Sequence, residues 1–267
     1  MAAPGTTGPT VSGASPTPVS RTGRKVLILG GTAEARALAD LLSEAGYDPV
    51  TSLAGVTQSP GNRKGRVRSG GFGGVEGLCR YLAAERFDAL VDATHPFAAV
   101  ISHCAKEAAV RSGLPLLRLE RAAWALEPGD RWVEVVSNIA AVSAIPPAAH
   151  VLLTIGRKEV APYFARLDIT GIARMIEPVD MEVTSGWRIL VARPPFSVEE
   201  ELRLFSNDAI SHLVTKNSGG EETYAKLVAA RMRGVSVIMI RRPPKPKVPT
   251  VPDPSSALAF LDQSVSA

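Results

Sequence analysis

The sequence has few cysteines, few aromatic residues and no long apolar run. Its two cysteines, Cys79 and Cys104, form no C-x-x-C pair, so we expect free, buried thiols in the reducing cytoplasm. No apolar stretch approaches the roughly 18 residues that a membrane-spanning helix needs, so we expect no membrane partner. Phe, Trp and Tyr together make up only 5% of the chain, which leaves few stacking platforms for nucleic acid.

Several catalytic motifs are also missing. No Tyr is followed by Lys four residues later, which argues against a short-chain dehydrogenase, and the G-x-x-x-x-G-K-[ST] motif of P-loop NTPases does not occur. The four histidines show no close pairing with acidic residues or Cys at the spacing of metal ligands. We therefore expect no metal at His95, His103, His150 or His212.

The charges nearly balance, with 30 basic and 26 acidic residues and a formal charge of +4. Because they are scattered along the chain, the mild excess favours an anionic small molecule over nucleic acid, which needs a concentrated basic stripe.

A length of 267 residues with 45% hydrophobic content suits two globular domains. Residues 1–22 are mostly small residues and proline, which predicts a disordered tail.

One stretch, KVLILGGTAEAR at residues 25–36, joins an apolar strand to an amphipathic helix through two adjacent glycines. The unbroken apolar run is typical of a parallel strand covered on both faces. The glycines allow a sharp turn and Thr32 can cap the helix, so free N–H groups favour a phosphate there. This is not the G-x-G-x-x-G fingerprint, and a turn without a ligand stays an alternative. The predicted contacts are Gly30, Gly31, Thr32, Ala33, Glu34 and Arg36.

The second strand, predicted over residues 47–53, ends beside this turn, where the ribose of a dinucleotide would lie. NAD sites carry an acid there, but this chain has none. Hydroxyls and the nearby Arg63, Lys64 and Arg66 would instead accept a 2′-phosphate. The sequence therefore favours NADPH over NADH, although the basic residues also fit a solvated loop. The contacts predicted at this strand end are Ser52, Leu53, Ala54 and Gly55.

Two further stretches lie where a cofactor could be contacted. The glycine-rich SGGFGGVEG at residues 69–77 is flexible by composition and can close over a cofactor, with Phe72 as a lid or, less favoured, as a plug. The strand predicted over residues 87–93 runs directly into Thr94 and His95, at the edge of a parallel sheet where ligands bind. These stretches add Gly73, Gly74, Thr94 and His95 to the predicted cofactor contacts.

Prolines and small residues at 143–149 predict a domain boundary. The first domain then spans residues 23–145, with a short closing strand at 132–136. The second spans 146–267, with a closing strand at 235–240 and a C-terminal helix. Two strand ends of the second domain carry basic groups and N–H donors that suit an anion. The predicted substrate contacts, each of which also fits a polar helix start in solvent, are Arg157, Lys158, Lys216, Asn217, Ser218 and Gly219.

Six stretches together resemble the precorrin-6A reductases of cobalamin biosynthesis and their cobalt-precorrin-6A counterparts. In chain order they are ILGGTAEAR, SLAG, GGFGGVEGL, DATHPFA, TIGRKE and TKNSGGEETYAKL, at residues 28–36, 52–55, 70–78, 92–98, 154–159 and 215–227. The resemblance implies two Rossmann-like α/β domains with parallel sheets, NADPH on the first, and the substrate in the cleft between them. It also implies reduction of one double bond of an anionic macrocyclic tetrapyrrole, precorrin-6A, to precorrin-6B.

The implied reaction needs a proton as well as a hydride. His95 is the only histidine at a predicted strand end of the cofactor domain, and an ordinary pKa of about 6.5 suits a proton donor. His95 could instead have a structural role or position the nicotinamide, and water could then donate the proton. A non-catalytic NADP-binding regulatory module is the alternative to an enzyme. Neither the presence of cobalt in the substrate nor the oligomeric state follows from the sequence, and a monomer is the simplest expectation.

Overall fold

A computed structural model describes residues 23–55, 64–177 and 183–264. Within these ranges the chain forms two sheets, each of six parallel strands, with helices packed against them. This confirms the predicted fold class of two α/β units with parallel sheets. The predicted tail at residues 1–22 and the basic residue Arg63 lie outside the described residues.

In chain order the strands are β1 (Lys25–Leu29), β2 (Asp48–Leu53), β3 (Arg66–Ser69), β4 (Ala89–Asp92), β5 (Leu116–Leu119), β6 (Trp132–Val135), β7 (His150–Thr154), β8 (Thr170–Met175), β9 (Trp187–Val191), β10 (His212–Lys216), β11 (Ser236–Ile240) and β12 (Thr250–Val251). The helices are α1 (Ala33–Glu44), α2 (Val75–Glu85), α3 (Ala99–Ser112), α4 (Asn138–Ala144), α5 (Ala161–Phe164), α6 (Val198–Asn207), α7 (Ala225–Arg233) and α8 (Pro254–Ser264), and a 3₁₀ turn (Arg157–Glu159) precedes α5.

The first lobe is built on the sheet of order β12-β5-β4-β1-β2-β3. Its central strand β1 is covered on both faces, which explains the unbroken apolar run in the sequence. Val26 and Ile28 pack in a cluster with α1 and α8. Leu27 and Leu29 pack in the opposite cluster with α2 and α3. The carboxyl ends of β1, β2 and β4 therefore form one edge, which carries the predicted cofactor contacts that follow these three strands.

The second lobe is built on the sheet of order β6-β11-β10-β7-β8-β9. Its central strand β7 is likewise covered on both faces. Leu152 packs with residues of α6 and α7, while Val151 and Leu153 pack with residues of α4 and α5. A capping box begins α6, because the Ser197 hydroxyl accepts from the Glu200 N–H at 3.2 Å and the Glu200 carboxylate accepts from the Ser197 N–H at 2.7 Å.

The two lobes exchange their last strands. After β5 the chain crosses to the second lobe, where β6 pairs with β11 and lies at the edge of that sheet. After β11 the chain crosses back, β12 pairs with β5, and α8 packs against α1. The strand predicted to close the first sheet thus closes the second, and the C-terminal helix belongs to the first lobe. This corrects the predicted division at residues 145 and 146, which followed local proline content and could not register pairing between distant segments.

The edge strand β3 has no counterpart among the strands predicted from the sequence. Its four residues, RVRS, are too few and too polar to stand out, and they are mostly exposed because β3 pairs with β2 alone. The pairing nevertheless places Arg68 directly opposite Ser52, at the cofactor edge of the sheet.

Both cysteines are free, as predicted, but Cys79 on α2 and Cys104 on α3 are half-buried instead of buried. No helix within the described part of the chain combines the length and apolar character that crossing a membrane would need.

Leu261 of α8 tests the strand exchange because it is 0% exposed and packs in the first-lobe cluster with Leu38 and Leu42 of α1. Replacing Leu261 with Ala should lower the free energy of unfolding by about 2–5 kcal/mol through the lost burial and the cavity left behind. Hydrogen exchange should then show lost protection in β1 and α1 before β10 and β11. Gln263→Ala, at an exposed position of the same helix, is the control, and first loss of protection in the second lobe would contradict the topology.

Candidate functional site

The turn after β1 leaves open space above the start of α1. A Cβ at Gly30 would lie 2.7 Å from the Thr51 side chain, so no larger residue fits there without a shift. Gly31 has φ +116°, which favours glycine, and nothing lies within 4 Å of where its Cβ would be. Thr32 caps α1 by accepting from the Ala35 N–H at 3.1 Å. The turn thus leaves open space beside the N-terminus of α1, where free N–H groups could receive a phosphate.

Arg68 occupies the position beside the end of β2. Its Nη1 donates to the Ser52 hydroxyl at 2.7 Å and to the Gly70 carbonyl at 3.0 Å. The guanidinium also lies 4.1 Å from the ring centre of Phe72 and 4.9 Å from that of Tyr81. A cation is therefore held in place where the ribose of a dinucleotide would lie. Sequence reasoning missed Arg68 because it missed β3.

Lys64 and Arg66, which were predicted to contact the 2′-phosphate, lie at the opposite edge of the sheet from the turn after β1. Lys64 pairs with Glu44 at the end of α1, with Nζ and Oε1 2.7 Å apart. Arg66 pairs with Asp48 at the start of β2, with Nη2 and Oδ2 2.9 Å apart. The length of β2, roughly 16 Å at the usual rise per residue, separates this edge from the turn after β1. The structure replaces both residues with Arg68 as the cation near the ribose position.

The glycine-rich loop borders the same edge. Gly73 and Gly74 are exposed and have φ of +76° and +86°, a backbone conformation that favours glycine. Phe72 packs on Tyr81, with ring centres 5.5 Å apart, and joins the core cluster under α2. Phe72 is therefore a plug in this structure, not the lid favoured from sequence. Ala54 and Gly55 follow β2 as exposed residues.

Thr94 and His95 follow β4 at the same edge, next to the turn after β1. Thr94 donates its hydroxyl to the buried Asp92 carboxylate at 2.6 Å, and Asp92 is also 3.3 Å from the Arg118 Nε. The Thr94 hydroxyl is thus engaged by protein. His95 Nδ1 accepts from the Phe97 N–H at 3.2 Å, which leaves the proton of the neutral ring on Nε2.

The surroundings keep His95 neutral. The side chain faces the cleft between the lobes, yet the surrounding protein displaces water from around the imidazole ring. Four cations also lie nearby, namely Arg121, Lys216, Lys245 and Arg242. Desolvation first, and then these charges, lower the pKa of His95 to about 4. The ordinary pKa that suggested a proton donor therefore does not hold in the folded chain, and His95 is neutral at pH 7.

Arg121 joins the two lobes at the first crossing segment. Its Nη1 donates to the Glu34 carboxylate of α1 at 2.7 Å, and its Nε donates to the Ser218 carbonyl of the second lobe at 2.8 Å. Arg242, on the returning segment, donates to the Ser218 carbonyl at 3.1 Å and to the Arg121 carbonyl at 2.9 Å. Glu34, predicted as a cofactor contact, is therefore engaged in the contact between lobes. Arg36 is exposed on α1.

A cavity of about 600 Å³ opens where the carboxyl edges of the two sheets face each other. His95 contributes to it from the first lobe, and the strand ends of the second lobe form most of its wall. One carboxylate, that of Glu177, lines it beside four basic side chains, so positive groups are in excess. The basic side chains are Arg157, Arg174, Lys216 and Lys226.

The profile of the protein family described as "Precorrin-6x reductase CbiJ/CobK" matches residues 25–262. The chain belongs to this family. It is therefore an oxidoreductase of cobalamin biosynthesis, and the resemblance noted from its motifs is confirmed.

Members of the precorrin-6x reductase family match along almost their whole length. A solved structure titled "CobK precorrin-6A reductase" superposes with a TM-score of 0.85 at 38% identity, covering 90% of this chain and 97% of that one. The Rhodococcus erythropolis protein named precorrin-6A reductase is 44% identical over 240 residues, which are 89% of this chain and 97% of the relative. The Priestia megaterium protein named cobalt-precorrin-6A reductase is 31% identical over 233 residues, covering 82% and 90%.

Only some of the predicted substrate contacts line the cavity between the two lobes. Arg157, Lys216 and Ser218 line it, whereas Lys158 is exposed outside it. Arg157 lies 3.8 Å from the Glu177 carboxylate, and Lys216 Nζ lies 2.6 Å from that of Glu159. Both cations thus have acidic partners in the structure as it stands.

Asn217 and Gly219 hold the crossing segment instead of facing the cavity. Asn217 is buried, and its amide accepts from the Trp124 N–H at 2.8 Å and donates to the Trp124 carbonyl at 3.0 Å. A Cβ at Gly219 would lie 2.0 Å from the Ala122 carbonyl oxygen. The sequence showed the turn but not the distant segment that packs against it.

Arg174 and Lys226 of the cavity wall were not predicted as site residues. Arg174 ion-pairs with Glu201 at 2.8 Å and lies 4.1 Å from the ring centre of Phe196. Lys226 is 3% exposed. Each stands in an otherwise ordinary strand or helix pattern, and a charged residue at a buried position of that pattern was the available signal. Among the described residues, no three His, Cys, Asp or Glu side chains meet as a metal site.

The low pKa of His95 can be measured by following its ring protons in NMR spectra between pH 3 and pH 8. We expect its midpoint near the low value of about 4 given above. Lys245→Met should raise the midpoint, because it removes one of the four nearby positive charges. His95→Asn assigns the resonance. A midpoint at the ordinary value of about 6.5 would show that the cation cluster does not act on the ring.

Proposed function

We propose that this chain reduces one double bond of precorrin-6A to give precorrin-6B, with NADPH as the hydride donor. The observation that carries the proposal is the meeting of two features at one cleft. A glycine turn with open space beside it follows β1 at the carboxyl edge of the first sheet, and a cavity lined with basic side chains opens on the carboxyl edge of the second. A dinucleotide bound to the first lobe and a polyanionic ring bound to the second would thus meet in the cleft between the two sheets.

The first lobe fits NADPH on three counts. Gly30 and Gly31 leave room for the pyrophosphate above the N-terminus of α1. Ser52 and Ala54, at the end of β2, present no carboxylate that would repel a 2′-phosphate. Arg68 supplies a positioned guanidinium there, which suits a phosphate better than it suits the hydroxyl of NADH.

The second lobe fits a ring with carboxylates at its rim. The guanidinium groups of Arg157 and Arg174 and the ammonium group of Lys216 lie around the cavity, and charge-assisted hydrogen bonds from such groups hold carboxylates well. Glu159 and Glu177 pair with two of these cations. Entry of the substrate would therefore exchange protein carboxylates for those of the ring.

Bound NADPH supplies the hydride, and the residues of the chain position the two reactants and exclude water. Asp92 and Thr94 fix the turn that carries His95. His95 presents Nε2–H to the cleft as a neutral donor, so we assign it to holding the nicotinamide or the ring and not to acid catalysis. Arg121 keeps the two lobes at the spacing that this requires.

The direct test follows the nicotinamide absorbance of NADPH with the purified chain. We expect oxidation only when precorrin-6A is added, with precorrin-6B as the product. Binding of NADPH without oxidation in the presence of precorrin-6A would instead support a regulatory NADP-binding module. Parallel assays with cobalt-precorrin-6A distinguish the two forms of the substrate.

Arg68→Ala tests the assignment of NADPH. Loss of a charge-assisted contact with the 2′-phosphate should raise the Kd for NADPH by about ten- to a hundredfold, with little change for NADH, measured by calorimetric titration. Arg66→Ala is the matched control because it removes an arginine from the same strand at the opposite edge. Equal weakening of both cofactors by Arg68→Ala would place the 2′-phosphate elsewhere.

Lys216→Ala tests the assignment of the substrate. Because Lys216 lines the cavity of the second lobe, its loss should raise the KM for precorrin-6A about tenfold, the effect of one ion-paired contact, while the Kd for NADPH stays nearly constant. Lys158→Ala removes a neighbouring exposed lysine and should change neither constant. An unchanged KM in Lys216→Ala would count against this cavity as the substrate site.

A further inference from the structure

Lys226 is a buried amine that the contacts described so far leave without a role. It is the second residue of α7, it is 3% exposed, and it lines the cavity between the lobes. A lysine is rarely buried to this extent unless an acid pairs with it. Its position in the cavity wall, which His95 of the first lobe also lines, places an N–H donor against whatever fills the cavity.

The contacts of Lys226 hold its amine without an acidic partner. Nζ donates to the Thr223 carbonyl at 2.7 Å and lies 4.5 Å from the ring centre of Trp124. In the described part of the chain no carboxylate forms an ion pair with it. A carbonyl and an aromatic face orient an ammonium group, but they do not engage all three of its N–H donors.

We propose that Lys226 is the catalytic acid that delivers the proton to the macrocycle during its reduction. This rests on the proposed function, since it assigns a residue to the proton that the reduction consumes. Lys226 would touch the ring atom next to the one that is reduced, from the wall of the second lobe.

The other polar groups of the cavity are poor donors for this step. Arg157 and Arg174 do not give up a proton in proteins. His95 is neutral at pH 7, and Lys216 is held by Glu159 at 2.6 Å. Lys226 is thus the remaining ammonium of the cavity wall in the described part of the chain.

The charges around Lys226 ease loss of its proton. Burial first, and then the nearby charges of Arg174 and Arg121, lower its pKa to about 7, although the Glu201 carboxylate acts in the opposite direction. An acid with a pKa close to the working pH is efficient because it is still protonated but gives up its proton readily. Carboxylates of a bound ring would favour the ammonium form and raise this pKa in the complex.

The step balances as a hydride and a proton added across one double bond. One ring atom forms a C–H bond with the electron pair of the hydride, so the ring is reduced and NADPH is oxidised to NADP⁺. The π electrons move to the neighbouring atom of the conjugated system, which forms a bond to the proton as the Nζ–H bond of Lys226 breaks. The neutral amine regains a proton from water after the product leaves.

The test compares Lys226→Met with Lys226→Arg. Met removes the amine without leaving a buried charge, and Arg keeps the cation but cannot act as an acid. If Lys226 is the acid, both variants should lose at least about a hundredfold in kcat while the Kd for NADPH is unchanged. Lys106→Met, on the exposed face of α3, is the control for the substitution itself and should keep the kcat of the unaltered chain.

The pH profile separates an acid from an anchor. In the unaltered chain kcat should fall as pH rises through the pKa of Lys226, because the neutral amine has no proton to give. This limb should vanish in both variants. Small primary amines added to Lys226→Ala should restore kcat in an order that follows their pKa.

Two outcomes would overturn the proposal. If Lys226→Arg keeps kcat and Lys226→Met raises only KM, then Lys226 is a carboxylate anchor. If kcat and its pH limb survive in Lys226→Met, then water or another group donates the proton. Both outcomes differ from failure of the proposed function itself, in which the unaltered chain would bind NADPH yet not oxidise it with precorrin-6A.

Discussion

The site depends on the way Arg121 and Arg242 tie the two lobes together. Arg121 bonds to the Glu34 carboxylate on α1 and to the Ser218 carbonyl after β10, and Arg242 bonds to that same carbonyl from the returning segment. Both arginines are partly buried, where such bonds are weakly screened and worth more than at the surface. Because the chain crosses between lobes twice, at adjacent places, the carboxyl edges of both sheets are kept facing each other.

This arrangement concentrates positive charge in the cleft, with consequences for each titratable group there. Burial is the larger cause of the low pKa values of His95 and Lys226, and the nearby positive charges add to it in both cases. The same field attracts a polyanionic ring. Binding of such a ring would neutralise the cations and favour the protonated lysine, so the acid would be best charged when the substrate is present.

Local features of the fold and site could be predicted, and long-range ones could not. The turn at Gly30 and the strand end at His95 follow from apolar runs that stop at specific residues, and those patterns are local. The exchange of β6 and β12 was missed because strand pairing between distant segments leaves no local pattern. Arg68 was missed with its short edge strand, and Lys226 because its burial depends on segments distant in sequence. The direction of the His95 pKa shift likewise required knowing which cations the crossing segments bring together.

The most direct test is a crystal structure of the chain with NADP⁺ and the reduced ring bound together. The proposed site places the pyrophosphate above Gly30 and Gly31, the 2′-phosphate against Arg68, and the macrocycle in the cavity with its reduced bond between the nicotinamide and Lys226. A cofactor bound to the second lobe, or a macrocycle outside the cleft between the sheets, would contradict it.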